Sequence, residues 1–208
     1  MATLLGLVSD VHATPGPLEA ALTLLEDEGA TRLICAGDVA GYGDELDATV
    51  TLLRDAGVMT IHGNHDRWCL ERQEATSEAS LAYLDALPAV IDESIEERRV
   101  YCVHASPPCS LMDGMRLLDE TGKPLPAELA YWHERLLTLD RELLIVGHTH
   151  QLFAERLGDV LVVNPGSTLF NHSCAIVELP SLEVQLLPLP GETARPVWDW
   201  RGGWKAVD

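Results

Sequence analysis

The stretch LLGLVSDVH, residues 4–12, places an apolar run directly before an aspartate and a histidine. The run predicts a buried first strand over Leu4–Ser9, and no cationic segment precedes it, so we do not interpret it as a signal peptide. LICAGD at 33–38 and VMTIHGNHD at 58–66 repeat the arrangement of apolar residues followed by polar ones. Segments with helical spacing separate the three runs, and this order predicts a parallel sheet with right-handed crossovers.

The remaining chain continues with less regular elements. We expect helices over 67–87 and 127–139, a solvated turn over 93–97, a loop-rich segment over 105–125, and strands over 99–104, 143–146, 152–155, 160–163, 174–179 and 184–189. No linker-like break stands out, so we predict one domain over 1–208, with the tail 191–208 packing on it. Two sheets packed face to face, with helices outside, accommodate this order of elements.

Polar clusters follow the predicted strands, each at the strand's carboxyl end. They are Asp10-Val11-His12, Gly37-Asp38, Gly63-Asn64-His65-Asp66, His104 and Gly147-His148-Thr149-His150. Ligand sites of open α/β sheets form at that edge. Imidazole, carboxylate and amide groups suit Mn, Fe or Zn, and residues two apart in extended backbone point the same way. The glycines permit tight turns and close backbone approach.

The series D-x-H, GD, GNHD, H and GHxH, in this order, resembles the calcineurin-like metallophosphoesterase superfamily. The run GDVAGYG at 37–43 resembles its small bacterial and archaeal phosphodiesterase-like members. The resemblance covers residues 4 to about 168. It implies an α/β fold, a four-layer α/β/β/α sandwich of two packed mixed sheets flanked by helices. It also implies a two-metal-dependent hydrolase of phosphodiesters or phosphomonoesters that uses a metal-bridging hydroxide.

Residue roles follow from the same resemblance. It implies that one divalent ion is held by Asp10, His12, Asp38 and His150, and a second by Asp38, Asn64, His104 and His148, with Asp38 bridging. Manganese is the expected metal, with Fe, Zn or Ni as alternatives. His65 is implied as the general acid, and Asp66 as the residue that orients it. Two further residues have open interpretations: Tyr42 lines the substrate pocket or packs, and Arg67 holds a substrate phosphate or is a solvated surface charge.

Departures from the family pattern limit the activity. Ala13-Thr14 stand where close relatives often carry Gly-Asn, which alters a substrate contact and leaves the metal ligands intact. Positions 39–45 hold no arginine, so protein phosphatase activity is disfavoured. A non-catalytic protein-binding scaffold on the same fold is the alternative function. The intact Asn64, His65 and metal ligands count against it.

The net charge and the cysteine content limit the binding partners and the cellular compartment that we expect. The formal net charge is −19, from 33 acidic and 14 basic residues, which argues against stable nucleic-acid binding and against a nuclease. Five cysteines without a CxxC motif indicate a reducing compartment, and we expect a cytoplasmic protein without a membrane segment. The expected partner is a small phosphate ester or a nucleotide-type substrate. A homo-oligomer stays open, and Trp198, Trp200 and Trp204 either dock a partner or cover the chain's own sheet.

Overall fold

The computed structural model describes residues 2–73 and 76–199, which form two five-stranded mixed sheets. The first sheet contains β1 (Thr3–Val8), β2 (Arg32–Cys35), β3 (Met59–Thr60), β9 (Ser173–Leu179) and β10 (Glu183–Pro188), in the order β10-β9-β1-β2-β3. The second contains β4 (Val90–Ile95), β5 (Arg98–Val103), β6 (Leu143–Ile145), β7 (Leu152–Leu157) and β8 (Val160–Pro165), in the order β4-β5-β6-β8-β7.

Both sheets combine parallel and antiparallel pairs: the first is antiparallel at its β10-β9 side only, and the second is antiparallel at both margins. In the first sheet β1, β2 and β3 run parallel, and in the second β5, β6 and β8 do so. The crossovers between these parallel strands carry α1 (Pro15–Asp27), α2 (Leu46–Asp55) and α5 (Pro126–Leu136). The helices α3 (Asn64–Arg72) and α4 (Glu78–Ala86) lie in the connection from the first sheet to the second. The parallel strands therefore direct several carboxyl ends to the same end of each sheet.

Three apolar clusters define four layers. The middle cluster lies between the sheets and joins Leu5 and Leu7 of β1 to Leu143 and Ile145 of β6. A second cluster packs α1 to α4 on the outer face of the first sheet. The third packs α5 and part of the loop before it on the outer face of the second sheet. The predicted α/β/β/α sandwich is confirmed.

The predicted single helix over 67–87 is wrong, because two helices occupy this region. Gln73, at the end of α3, has a left-handed backbone with φ of 48°, which stops helical hydrogen bonding there. Ser77 then starts α4, and its side chain accepts a hydrogen bond from the amide of Ser80. Neither the end of α3 nor the start of α4 is marked by a glycine or a proline, so the sequence gives no sign of the break between the two helices.

The predicted solvated turn over 93–97 is also corrected, because its first half belongs to the edge strand β4. The turn itself is the residue pair Glu96 and Glu97, and both have positive φ. Ile95 pairs with Arg98, so the two glutamates form a two-residue hairpin loop. A two-residue loop of this kind usually contains Asn-Gly, so a loop of two glutamates is not recognised as a hairpin from the sequence.

The loop-rich segment over 105–125 is confirmed, since it contains only isolated bridges among the described residues. Met115 and Leu117 within it are fully buried against the second sheet, so the loop also contributes to the core. The described cysteines are free thiols, as predicted, and all but Cys109 are buried. Within 2–73 and 76–199, no helix combines the length and the apolar character that crossing a bilayer requires.

Candidate metal centre

The carboxyl ends of parallel strands from both sheets bring the predicted metal ligands together. Asp10 and His12 follow β1, Asp38 follows β2, Asn64 opens α3 after β3, His104 follows β5, and His148 and His150 follow β6. His148 is half-buried and the others are buried, with Asp10, His12 and His104 fully inaccessible. The site therefore lies at the rim where the two sheets meet.

One group of donor atoms comes from Asp10, His12 and His150. Nε2 of His12 lies 3.1 Å from Nε2 of His150, and the latter atom lies 3.3 Å from Oδ1 of Asp10. All three residues offer ligand atoms within 4.8 Å of one another. This spacing fits a single cation coordinated by two imidazoles and a carboxylate.

The second group surrounds Asn64. Its side-chain amide lies 3.1 Å from Nε2 of His104 and 2.9 Å from Nδ1 of His148. The amide can face either way: with its nitrogen inward it donates to both imidazoles, and with its oxygen inward it adds an acceptor for a cation. Oδ2 of Asp38 lies 3.4 Å from the same His104 nitrogen.

Asp38 lies between the two groups. Its carboxylate belongs to one possible ligand cluster with Asp10 and His104 and to another with His12 and His65. A carboxylate has two oxygens, so Asp38 is placed to contact cations on either side. The structure thus brings together all seven predicted metal ligands.

Hydrogen bonds to backbone carbonyls orient three of the imidazoles. Nδ1 of His12 faces the carbonyl of Ala40, and Nδ1 of His104 faces that of Ala36 at 2.7 Å. Nε2 of His148 faces the carbonyl of Met112. Because a carbonyl only accepts, each of these nitrogens carries the proton, and the opposite nitrogen of the neutral ring presents a lone pair to the site. Imidazole lone pairs that face one another and face carboxylates are suited to binding a metal cation.

The pKa values of the buried groups reflect how the carboxylates and imidazoles of the site influence one another. Burial disfavours ionised Asp10, but His150 beside it overcomes burial and holds the pKa of that carboxyl well below its usual range. Burial likewise lowers the pKa of His104, but the adjacent Asp38 outweighs it and raises the pKa to about 9, which favours a protonated ring whose second proton a bound cation would displace. His12 shows the opposite balance, since burial lowers its pKa to about 3 and keeps the ring neutral. Neutral imidazole is the form that binds metals.

Left-handed backbone conformations produce this convergence. The predicted extended alternation is wrong, because the φ values are 51° at Asp10, 53° at His12, 54° at Asp38, 67° at His148 and 49° at His150. Such conformations are uncommon outside glycine and cluster at functional sites. Backbone hydrogen bonds between the loops support them, for example from His12 N to the carbonyl of Asp38 at 2.9 Å.

The predicted close backbone approach at the glycines is confirmed. A Cβ on Gly37 would meet Gly63 N and His104 Nδ1 at 2.8 Å. A Cβ on Gly63 would overlap the carboxylate of Asp38, and one on Gly147 would overlap the side chain of Ser9. These glycines allow the ligand-bearing loops to touch.

His65 lies half-buried beside the first group of ligands. Its ring centroid is 4.9 Å from that of His12, and its backbone amide donates to Oδ1 of Asp38 at 2.8 Å. Burial holds the pKa of His65 below its ordinary value, against the opposing charges of Asp38 and Asp10. The ring is therefore adjacent to the candidate metal ligands without being one of the buried donors.

Asp66 is fully buried, and its carboxylate accepts hydrogen bonds from backbone amides. Oδ1 accepts from Ala40 N and Oδ2 from Gly63 N, each at 2.7 Å. Burial raises the pKa of Asp66 to about 7. These contacts hold the loop after β2 against the start of α3, so Asp66 positions the backbone around Asp38 and Asn64.

Tyr42 and Arg67 differ in their relation to the site. Tyr42 is half-buried, with its ring centroid 4.8 Å from His12 and 4.9 Å from His65. It therefore belongs to the wall of the site. Arg67 is exposed on α3, two residues after His65.

Two aromatic residues that the sequence motifs did not indicate adjoin the ligands. Phe170 is 2% exposed and stacks on His150, with centroids 4.9 Å apart and planes at 23°. Trp198 packs on Phe170, with ring centroids 4.7 Å apart. No motif links these residues to the ligands along the sequence. Trp200 and Trp204 lie outside the described residues.

Comparison with known proteins adds relatives of this fold. A stretch of 122 residues, half of this chain, is 28% identical to half of an uncharacterized protein, MJ0912, of Methanocaldococcus jannaschii. The chain thus spans about half the length of that curated relative.

Solved structures resemble most of the chain. A metallophosphoesterase from Sphaerobacter thermophilus is similar with a TM-score of 0.69 and 23% identity, over 88% of this chain and 87% of that one. A putative diadenosine tetraphosphatase is similar with a TM-score of 0.64 and 19% identity, over 91% and 95% of the two chains.

The family model described as the calcineurin-like phosphoesterase superfamily domain matches residues 4–180, which include all the residues of the site apart from Trp198. Similarity in sequence and in fold thus agrees with the motif order. The chain belongs to the calcineurin-like phosphoesterase superfamily.

Proposed function

We propose that this protein is a two-metal-dependent hydrolase of phosphodiesters or phosphomonoesters. The observation that carries the proposal is the convergence of two donor groups, one around His150 and one around Asn64, with the carboxylate of Asp38 between them. Membership in a phosphoesterase superfamily supports metal-dependent cleavage of phosphate esters in general.

In this proposal the donor groups are the two metal sites. Asp10, His12, Asp38 and His150 hold one divalent ion, and Asp38, Asn64, His104 and His148 hold the other. Two bound divalent ions lower the pKa of a coordinated water and neutralise charge on a phosphate. Manganese is our preferred ion, and the mixed imidazole, carboxylate and amide set also suits Fe, Zn or Ni.

His65 acts on the leaving group in this proposal. Its ring adjoins His12 and Tyr42 and is half-buried, so the ring is accessible beside the ligands. An imidazole there can donate a proton to the departing oxygen. Burial holds the pKa of His65 below its ordinary value, and the carboxylates of Asp38 and Asp10 partly oppose this effect.

The proposed substrate is a small phosphate ester, including nucleotide-type compounds. Tyr42 offers an aromatic wall beside His65, and the exposed cation of Arg67 on the same helix can meet a second phosphate. The net charge of −19 disfavours long polyanions. The free described thiols support a reducing compartment, and we propose the cytoplasm.

A substrate panel tests the function. Aryl phosphate mono- and diesters, cyclic nucleotides and dinucleoside polyphosphates are assayed with added Mn²⁺, Ni²⁺, Mg²⁺ or Zn²⁺, using the wild type and the Asp38→Asn variant. We expect hydrolysis that the metal stimulates in the wild type and that the variant lacks. No metal-stimulated hydrolysis of any ester would favour the protein-binding scaffold instead.

A further inference from the structure

The backbone carbonyl of His150 accepts two hydrogen bonds in a region where the backbone is unusual. His150 has φ of 49°, and its carbonyl accepts from Trp198 N at 3.2 Å and from Asn171 Nδ2 at 3.0 Å. A left-handed histidine persists only where its surroundings fix it. The two donors supply that restraint from outside the ligand loops.

The imidazole of His150 is also restrained by a stack of rings. Phe170 lies against His150 with planes at 23°, and it approaches His12 edge-on at 5.6 Å. The ring of Trp198 also packs against Phe170, with centroids 4.7 Å apart and planes at 37°. One buried phenyl ring thus contacts two of the proposed ligands, and the indole of Trp198 holds that phenyl ring in place.

Several hydrogen bonds anchor the segment that carries Trp198. Asn171 Nδ2 donates to the carbonyl of Arg195 at 2.7 Å, and Arg195 N donates back to the carbonyl of Asn171. Leu152 N donates to the carbonyl of Pro196 at 2.9 Å. Residues 195–198 therefore follow a defined path beside His150, although the family match ends at residue 180.

We propose that the segment 195–198 is a positioning element of the metal centre. Trp198 fixes His150 twice, through the hydrogen bond to its carbonyl and through the ring of Phe170. Neither Trp198 nor Phe170 offers a metal ligand, so they act by limiting the orientations of His150 and His12. This inference rests on the proposed function, since it assigns the segment to the metal ion held by Asp10, His12, Asp38 and His150.

Metal affinity of the full-length chain tests the inference independently of activity. Mn²⁺ is titrated calorimetrically into the wild type and into Trp198→Leu, Phe170→Leu and Trp198→Phe. Partners that orient a ligand contribute roughly 10- to 100-fold in affinity, so we expect a loss of that size for both leucine variants. The loss should be confined to one binding step, and the phenylalanine variant should recover most of the affinity.

Phe153→Leu is the matched control. Phe153 is 3% exposed in the core on the outer face of the second sheet, so this change removes the same atoms from a core that contains neither Phe170 nor Trp198. Wild-type affinity in Phe170→Leu and Trp198→Leu would overturn the inference, and so would an equal loss in Phe153→Leu. If Trp198→Leu fails to fold, Phe170→Leu against Phe153→Leu decides alone.

The proposed function has a separate outcome in the same titration. A wild type that binds Mn²⁺ and hydrolyses esters, with variants that match its affinity, leaves the proposed function standing and removes only the role of the segment 195–198. A wild type that binds none of Mn²⁺, Ni²⁺ and Zn²⁺ contradicts both.

Discussion

The carboxylate of Asp66 accepts a 2.7 Å hydrogen bond from the backbone amide of Ala40, 26 residues earlier in the chain. The other oxygen accepts from Gly63 N, so one buried side chain joins two of the loops that carry the proposed ligands. Asp66, the neighbour of the proposed general acid His65, thus contributes to the site by fixing the backbone of these two loops.

Asp66→Asn should destabilise the fold by about 1–3 kcal/mol, because an amide can accept only one of the two bonds and places its own N–H against a backbone N–H. Urea unfolding followed by circular dichroism measures the loss. Asp85→Asn, an exposed change of the same charge, should stay within about 0.5 kcal/mol of wild type. Equal stability of the two variants would show that the Asp66 bonds contribute nothing.

Gly63→Ala should lower both stability and metal affinity. Gly63 has an ordinary φ of −108°, so the added methyl acts only through its clash with the backbone and carboxylate of Asp38. Overpacking of this kind costs about 1–3 kcal/mol. Gly16→Ala is the matched control, since a Cβ there meets nothing within 4 Å, and alanine in α1 should add up to about 1 kcal/mol. Thermal unfolding and calorimetry report both quantities.

Asp38→Asn should abolish tight binding of both metal ions while preserving the loop. Asparagine tolerates the left-handed backbone at this position, where φ is 54°, so the change removes charge with little strain. We expect affinity to fall by more than about 100-fold, beyond the effect of an orienting partner. Elemental analysis after gel filtration measures the content, and two retained ions per chain would refute the bridging role.

His65→Ala should retain the metal ions and lose turnover. The backbone amide of residue 65 still donates to Asp38, so the ligand loops stay in place. A general acid contributes about 10²–10⁴-fold, and the loss should be largest for esters with a poor leaving group. His133→Ala, an exposed change on α5, is the control. Wild-type turnover of an alkyl ester by His65→Ala would contradict the assignment.

Strand order and loop motifs made the sandwich predictable from the sequence. Three apolar runs, each ending in a polar cluster, indicated the parallel strands of the first sheet, and the structure confirms them. The hairpin at Glu96 and the break at Gln73 were missed for a physical reason. Both positions adopt positive φ with residues that usually avoid it, and tertiary contacts decide such cases.

The ligand residues were predictable, but the way they converge was not. The sequence pattern suggested extended backbone at Asp10 and His12, whereas both are left-handed and held by bonds from other loops. Phe170 and Trp198 reach the site through chain reversals after residue 168, and no spacing rule connects them to His150. Contacts of this type depend on the packed structure alone.

The placement of ligands on both sheets has a consequence for how substitutions act at a distance. Asp10, His12, Asp38 and Asn64 depend on the first sheet, whereas His104, His148 and His150 depend on the second, and the apolar layer around Leu5 and Leu143 fixes the spacing between them. A substitution in that layer that shifts one sheet relative to the other would separate the four donors of the first sheet from the three of the second. Ion occupancy would then decline while the chain is still folded, which makes metal binding a sensitive gauge of how the interior is packed.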